Sequence, residues 1–255
     1  MLSYQHAYHA GNLADVQKHA ALAWVLDYLT QKPKALTYIE THAGRGLYDL
    51  SGAEAAKTGE AAGGIGRLTL PPAHPYTRAL AATRRSHGPH AYPGSPMIAA
   101  RLLRHIDSLH LAELHPQEHA ALHAALHPLG AQVHRAEGLA FALARTPPVP
   151  RRGLLLLDPS YEVKGDYEAV PRTLLALHRK WNVGILMLWY PILDDAPHLD
   201  MVAHITRAVP EALVSEVRFP PLRPGHRMRG SGLLTINPPW GMNNAMEEIT
   251  AWIAG

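Results

Sequence analysis

The chain contains no cysteine. That excludes disulfides, thiolate metal sites and a cysteine nucleophile, and it suits a reducing compartment. No apolar run is long enough to cross a bilayer, so no spanning helix is expected. The stretch MLSYQHAYHAGN lacks a basic segment followed by an apolar one, which argues against a secretory leader. A cytoplasmic, monomeric protein without a membrane partner is expected. Charge of one sign is also scarce. The formal net charge is only +3, although 18 histidines make the surface more cationic as the medium acidifies. Such a mild excess permits a nucleic-acid partner without requiring one. Neither an internal repeat nor a low-complexity tract is visible, so solenoid and fibrous architectures drop out.

What is present reads as alternating strands and helices. The 255 residues suffice for one large α/β domain, or for a domain with an insertion. GNLADVQKHAALAWVLDYLTQKP has the marks of a helix. Asn12 is placed to cap it, Asp15 suits its positive first turn, and Pro33 stops it. Val16, Ala20, Ala23 and Leu26 keep helical spacing, with Trp24 beside that stripe. Strands are expected in ALTYIETHAGRG, DSLHLAELHP, AQVHRAEG, GLLLLDPSY and GILMLWYPI. EVRFPPL and GSGLLTINPPW form a closing pair across a basic loop. This order implies a doubly wound, mostly parallel sheet with helices on both faces. Residues 51–92 break the rhythm with Gly-, Pro-, Ala- and Arg-rich segments. They are too long for an ordinary connection. We expect a small, partly helical inserted subdomain there, with 1–50 and 93–255 forming the main domain.

Several acids fall at strand ends. Glu40 precedes a turn containing Gly44 and Gly46, whose lack of side chains allows a ligand to approach the backbone closely. Glu113, Glu137 and Asp158 end the next three strands. Four acids at successive ends of parallel strands share one edge of the sheet, where ligands of such folds bind. Asp158 opens Asp-Pro-Ser-Tyr, which suits a flat base carrying an exocyclic amine. That amine is a poor nucleophile because its lone pair is delocalised into the ring. The Asp158 carboxylate and the Pro159 carbonyl could accept its two N–H bonds and localise the lone pair. Tyr161 could stack on the base, which must be unpaired or flipped from a duplex to enter. The motif serves adenine and cytosine amines in RNA or DNA. A non-catalytic RNA-binding protein of the same fold stays open beside these. The sequence carries a second such motif at Asn237-Pro-Pro-Trp240. Its position after an antiparallel strand puts it at the opposite edge, in a structural role, with Trp240 packed under the C-terminal helix.

Long strings, in order, resemble the RlmJ family: MLSYQHAYHAGNLADVQKH, THAGRGLYDL, KTGEAAGGIGRL, YPGSP, ELHP, RRGLLLLDPSYE, LWYP and SGLLTINPPW. The resemblance runs from Met1 to about Trp240. It implies a Rossmann-like class I methyltransferase that moves a methyl group from S-adenosyl-L-methionine to adenine N6 in 23S ribosomal RNA by direct displacement. It also implies roles. Asp158 would be catalytic, assisted by Pro159 and Tyr161. His19, His42, Gly44, Ser95, Glu113, Glu137, Gly138 and Asp158 would bind the cofactor. Tyr4 would face the RNA, with His6 and Lys18 on the same substrate side. Two positions depart from the family pattern: Ser160 stands where a second proline is usual, and Glu137 where aspartate is usual.

The remaining features divide into bland and functional readings. His119, His123 and His127 share a helix face, but no further ligand is placed to complete a metal site, so a solvated face is expected and no metal. Trp24, Trp189 and Trp252 lie in apolar stretches and are expected in the core. The loop RFPPLRPGHRMRGSG carries Arg218, Arg223, His226, Arg227 and Arg229 with no acid nearby in sequence. Arg223, Arg227 and Arg229 are expected to contact RNA phosphates, as is the insertion with its Arg84-Arg85 pair.

Overall fold

The computed structural model describes residues 5–221, 225 and 227–254. After a 3₁₀ turn at His6–Tyr8 comes α1 (Leu13–Thr30). Asn12 caps it, its side chain accepting the Asp15 N–H at 2.9 Å. The helix stops shortly before Pro33, where proline would lack the donor to continue it. The apolar stripe is only part of what α1 buries: Asp15, Gln17, Lys18 and His19 are inside as well. The cause is tertiary, because α4, α5, α10 and the sheet all press on this helix.

Then follow β1 (Thr37–Glu40) and the short β2 (Leu47–Asp49). The irregular stretch folds as α2 (Ala53–Thr58), α3 (Glu60–Gly63) and α4 (Pro75–His87). It returns through β3 (Ala91–Pro93), which pairs antiparallel with β2. Three helices of this stretch precede that return. Its α4 packs on α1 and α5, and Tyr76, Ala79 and Leu80 join the main core, so the insertion shares its core with the rest of the chain.

From there helices and strands alternate: α5 (Ser95–Leu102), β4 (Ser108–Ala112), α6 (Pro116–Leu126), β5 (Gln132–His134), α7 (Gly138–Arg145), β6 (Gly153–Leu157) and α8 (Asp166–Lys180). The chain closes with β7 (Ile185–Leu193), α9 (His198–Ala208), β8 (Leu213–Arg218), β9 (Met228–Ile236) and α10 (Met242–Ala254). Among the described residues, seven strands form one sheet in the order β5-β4-β1-β6-β7-β9-β8. Neighbours from β5 to β7 are parallel, and β9 runs antiparallel to both β7 and β8. This is the doubly wound α/β fold the sequence implies.

The four leucines of β6 show why the sheet is buried on both sides. Leu154 and Leu156 enter the core under α1, α4, α5 and α10, whereas Leu155 and Leu157 enter the core under α7, α8 and α9. Side chains of a strand alternate faces, so a strand covered on both sides must be apolar throughout. The tryptophans meet the expectation in part. Trp24, Trp189 and Trp252 pack against the core but are only partly buried, and Trp181 is the fully buried one. Trp240 does not pack under α10 but is 88% exposed, because it follows Asn237 out of the sheet.

Candidate active site

Register places the site. Glu40 pairs level with Leu111 of β4 and Leu156 of β6, so the residues after these strands emerge at one edge. A cavity of about 400 Å³ opens there, within the size range of small-ligand sites. Twelve expected site residues line it: His6, Lys18, His19, His42, Gly44, Ser95, Glu113, Glu137, Gly138, Asp158, Pro159 and Tyr161. Tyr4 and Arg223 lie outside the described residues.

Asp158 leaves β6 on the α1 side of the sheet, where the Lys18 ammonium meets its Oδ2 at 2.6 Å. Both side chains are largely buried. Lys18 also contacts Asp15 Oδ1 at 3.1 Å, and Asp15 Oδ2 meets His6 Nε2 at 2.9 Å. A line of alternating groups therefore runs His6–Asp15–Lys18–Asp158. Burial alone would raise the Asp15 pKa, but His6 and Lys18 hold it well below the usual carboxylate range. Burying such charges costs several kcal/mol each, so their mutual geometry is held tightly. Lys18 occupies only one oxygen of Asp158 by this bond, and the carboxylate keeps lone pairs to accept an amine N–H.

Glu40 is not a ligand acceptor here. It lies fully buried, its Oε1 accepting the Ser95 hydroxyl at 2.5 Å and its Oε2 the Tyr38 hydroxyl at 2.8 Å. Burial pushes its carboxyl up to about 8, against those two hydrogen bonds. Ser95 thus ties the cavity wall to a buried carboxyl behind it. His19 is also buried, its Nδ1 at 2.9 Å from the Tyr92 hydroxyl. Burial holds its pKa down to about 3, so its ring is neutral at ordinary pH. His42 shares Nδ1 with the Thr41 hydroxyl at 2.7 Å, and burial lowers its pKa too.

The opposite end of the cavity is built from backbone. Gly44 takes a φ of +59°, and its N–H donates to Glu113 Oε2 at 2.8 Å. A side chain there would strike the Tyr48 hydroxyl. Glu113 Oε1 accepts the His115 N–H at 2.7 Å, so both oxygens are oriented by main chain while keeping lone pairs free toward the cavity. Glu137 caps α7, accepting the Leu139 and Ala140 N–H groups at 2.9 and 2.7 Å. Gly138 lies so close to the Thr41 carbonyl that a Cβ would collide with it. These two residues thus also carry a structural duty that docks α7 against the end of β1.

Three findings alter the expected substrate side. Tyr161 has a φ of +54°, its ring lies 4.6 Å from that of Tyr167, and its hydroxyl donates to the Trp189 carbonyl at 3.0 Å. Trp189, read from sequence as core, lines the cavity beside Lys18, with its Nε1 donating to Ser231 at 2.9 Å. Arg227 and Arg229 do not line the cavity, and they do not lack acids. Arg227 pairs with Asp195 at 2.9 Å and Arg229 with Asp194. Those acids follow β7, far away in sequence but adjacent once β7 and β9 pair. Glu60, His9 and Asn12 also line the cavity, and no motif in the sequence marks them for it. For Asp15 a signal existed, since Asp15 and Lys18 are three apart on one helix face.

The comparisons with known proteins agree with one another. A family model described as "Ribosomal RNA large subunit methyltransferase D, RlmJ" matches residues 33–255. A protein of Escherichia coli (strain K12) named ribosomal RNA large subunit methyltransferase J is 37% identical over 260 residues, covering 99% of this chain and 93% of its own length. The protein of that name in Haemophilus influenzae is 36% identical over 264 residues, with the same coverage. The crystal structure of a Legionella pneumophila protein superposes with a TM-score of 0.83 at 33% identity, covering 96% of this chain and 94% of that one.

Proposed function

Because this chain belongs to the RlmJ family of ribosomal RNA large subunit methyltransferases, we propose that it transfers a methyl group from S-adenosyl-L-methionine to the N6 amine of one adenine in 23S rRNA. The observation that carries this reading is the Asp158 carboxylate, held at 2.6 Å by Lys18, in the wall of a cavity whose far end is the Gly44–Glu113 turn. The donor set fits the cofactor. Glu113 offers oriented oxygens to ribose hydroxyls, and the Gly44 turn leaves backbone open where a side chain would intrude. The cofactor supplies an electrophilic methyl group. The residues of this chain do the rest by positioning and electrostatics. The Asp158 carboxylate and the Pro159 carbonyl accept the two amine N–H bonds and turn the nitrogen lone pair toward that methyl. The amine becomes acidic only as it is alkylated, so no strong base is needed beforehand, and Asp158 takes the proton late. Lys18 fixes the carboxylate rotamer, and Trp189 and Tyr161 wall the base pocket. Ser160 in place of proline leaves both acceptors intact.

The test incubates the protein with methyl-labelled cofactor and unmodified 23S rRNA or DNA, followed by mapping of the methylated base. N6-methyladenine in the rRNA is the expected product. Label in DNA alone would favour a DNA amino-methyltransferase, and cofactor binding without label in either would favour a non-catalytic RNA-binding protein. Asp158→Ala, which removes the acceptor altogether, should abolish transfer while calorimetry still detects cofactor binding. An active Asp158→Ala enzyme would remove Asp158 from the chemistry.

A further inference from the structure

The start of the insertion grips the segment that leads into α1. The Ile65 N–H donates to the Gly11 carbonyl at 2.8 Å, and the Thr58 hydroxyl donates to the Tyr8 carbonyl. Gly64 lies against the Gly11–Asn12 backbone so closely that a Cβ would collide with it. At the centre is Glu60, 3% exposed and in the cavity wall. Its Oε1 meets His9 Nδ1 at 2.9 Å, and its Oε2 accepts the Asn12 side-chain N–H at 3.0 Å. A buried carboxylate is costly unless its oxygens are paired, so these bonds restrict both partners strongly.

Both partners lead to the reacting end. Asn12 Oδ1 accepts the Asp15 N–H while Asn12 Nδ2 is held by Glu60. His9 follows the turn that presents His6, whose Nε2 lies 2.9 Å from Asp15. Asp15 then contacts Lys18, and Lys18 contacts Asp158. We propose that Glu60 is a positioning residue for methyl transfer: through His9 and Asn12, the insertion holds the His6 segment in register with the Asp15–Lys18–Asp158 line. On this account the insertion supplies part of the site through Glu60. The proposal rests on the function given above.

The test uses the full-length Glu60→Gln variant, which keeps shape and removes the carboxylate. Three quantities are read: single-turnover methyl transfer to 23S rRNA at saturating cofactor, cofactor affinity by calorimetry, and amide hydrogen exchange of residues 6–12. The rate should fall by about 10- to 100-fold, the cost of a small misplacement, with cofactor affinity changed by no more than about threefold. Exchange in residues 6–12 should rise while that of β6 and α8 stays as in the wild type. Glu60→Gln combined with His9→Gln should be no slower than the slower single variant, since both break one link. A wild-type rate, or a loss seen only as weaker cofactor binding or a smaller folded fraction, overturns the proposal. Should the wild type transfer no methyl group to rRNA, the functional reading fails by itself. Exchange then decides the role of Glu60, and unchanged exchange in residues 6–12 of Glu60→Gln rules it out.

Discussion

Glu40 shows how burial converts an acid into a structural group. Its neighbours are hydroxyl donors, yet burial dominates and lifts its carboxyl to about 8 from the ordinary 4.5. The native protein then keeps a proton that the unfolded chain has lost. Between pH 4.5 and about 8 the folded state binds more protons, so this group's contribution is complete below 4.5 and declines as pH rises toward 8. His19 acts in the opposite sense, and only between about 3 and 6.5, where the unfolded chain is the one that gains a proton. The window from 6.5 to about 8 therefore isolates Glu40 from His19. Glu40→Gln is neutral throughout, and Ser95 can turn its hydroxyl to suit. Urea denaturation at the two ends of that window should show a fall in stability for the wild type and a smaller fall for Glu40→Gln. Equal falls in both proteins would mean that Glu40 is ionised in the fold.

At the scale of elements, the two Pro-containing motifs separate by strand direction. Asp158 ends a parallel strand beside the cavity, whereas Asn237 ends antiparallel β9 and so emerges at the other edge. Its side chain donates to the Asn182 and Gly184 carbonyls at 3.0 and 2.8 Å, pinning β9 to the turn before β7. Its φ of +54° is one that asparagine tolerates better than alanine. Asn237→Ala should cost on the order of 1–3 kcal/mol in chemical denaturation and leave methyl transfer in the folded protein near normal. Lost transfer in a folded variant would assign Asn237 a part in the chemistry. The entry into β9 gives a second test. Its Arg227–Asp195 and Arg229–Asp194 pairs are exposed, and exposed pairs contribute only about 0–1 kcal/mol, so phosphates can displace the carboxylates. Removing both arginines should flatten the salt dependence of RNA binding by about 0.7–0.9 in logarithmic slope for each phosphate that is no longer neutralised. An unchanged slope would place RNA elsewhere.

Across the whole molecule, the cavity is assembled from residues between His6 and Met228, so it exists only in the folded chain. A ligand confined to the native state stabilises it by about 2.7 kcal/mol at a hundred times its dissociation constant. Saturating S-adenosyl-L-methionine should therefore raise the thermal midpoint of the wild type and of Asp158→Ala alike. Glu113→Ala should show a smaller rise at the same concentration, through binding weakened by about 1.5–3 kcal/mol. No rise in the wild type would contradict the cofactor assignment.

The sequence by itself determined the alternation of strands and helices, the cap at Asn12, the antiparallel closing pair and the strand-end acids. These depend on local periodicity, on turn chemistry and on the order of elements, all of which are written along the chain. Long shared strings likewise carried the family and brought twelve of the expected site residues to one cavity. Only the tertiary structure decided that Glu40 lies buried behind Ser95, that Lys18 clasps Asp158 and that Asp194 and Asp195 answer Arg229 and Arg227. It alone left Trp240 in solvent and brought Trp189 to the cavity. The reason is physical. Burial and charge pairing depend on distances between segments far apart in sequence, such as α1 and the end of β6, and those distances exist only after the two cores have closed on the sheet.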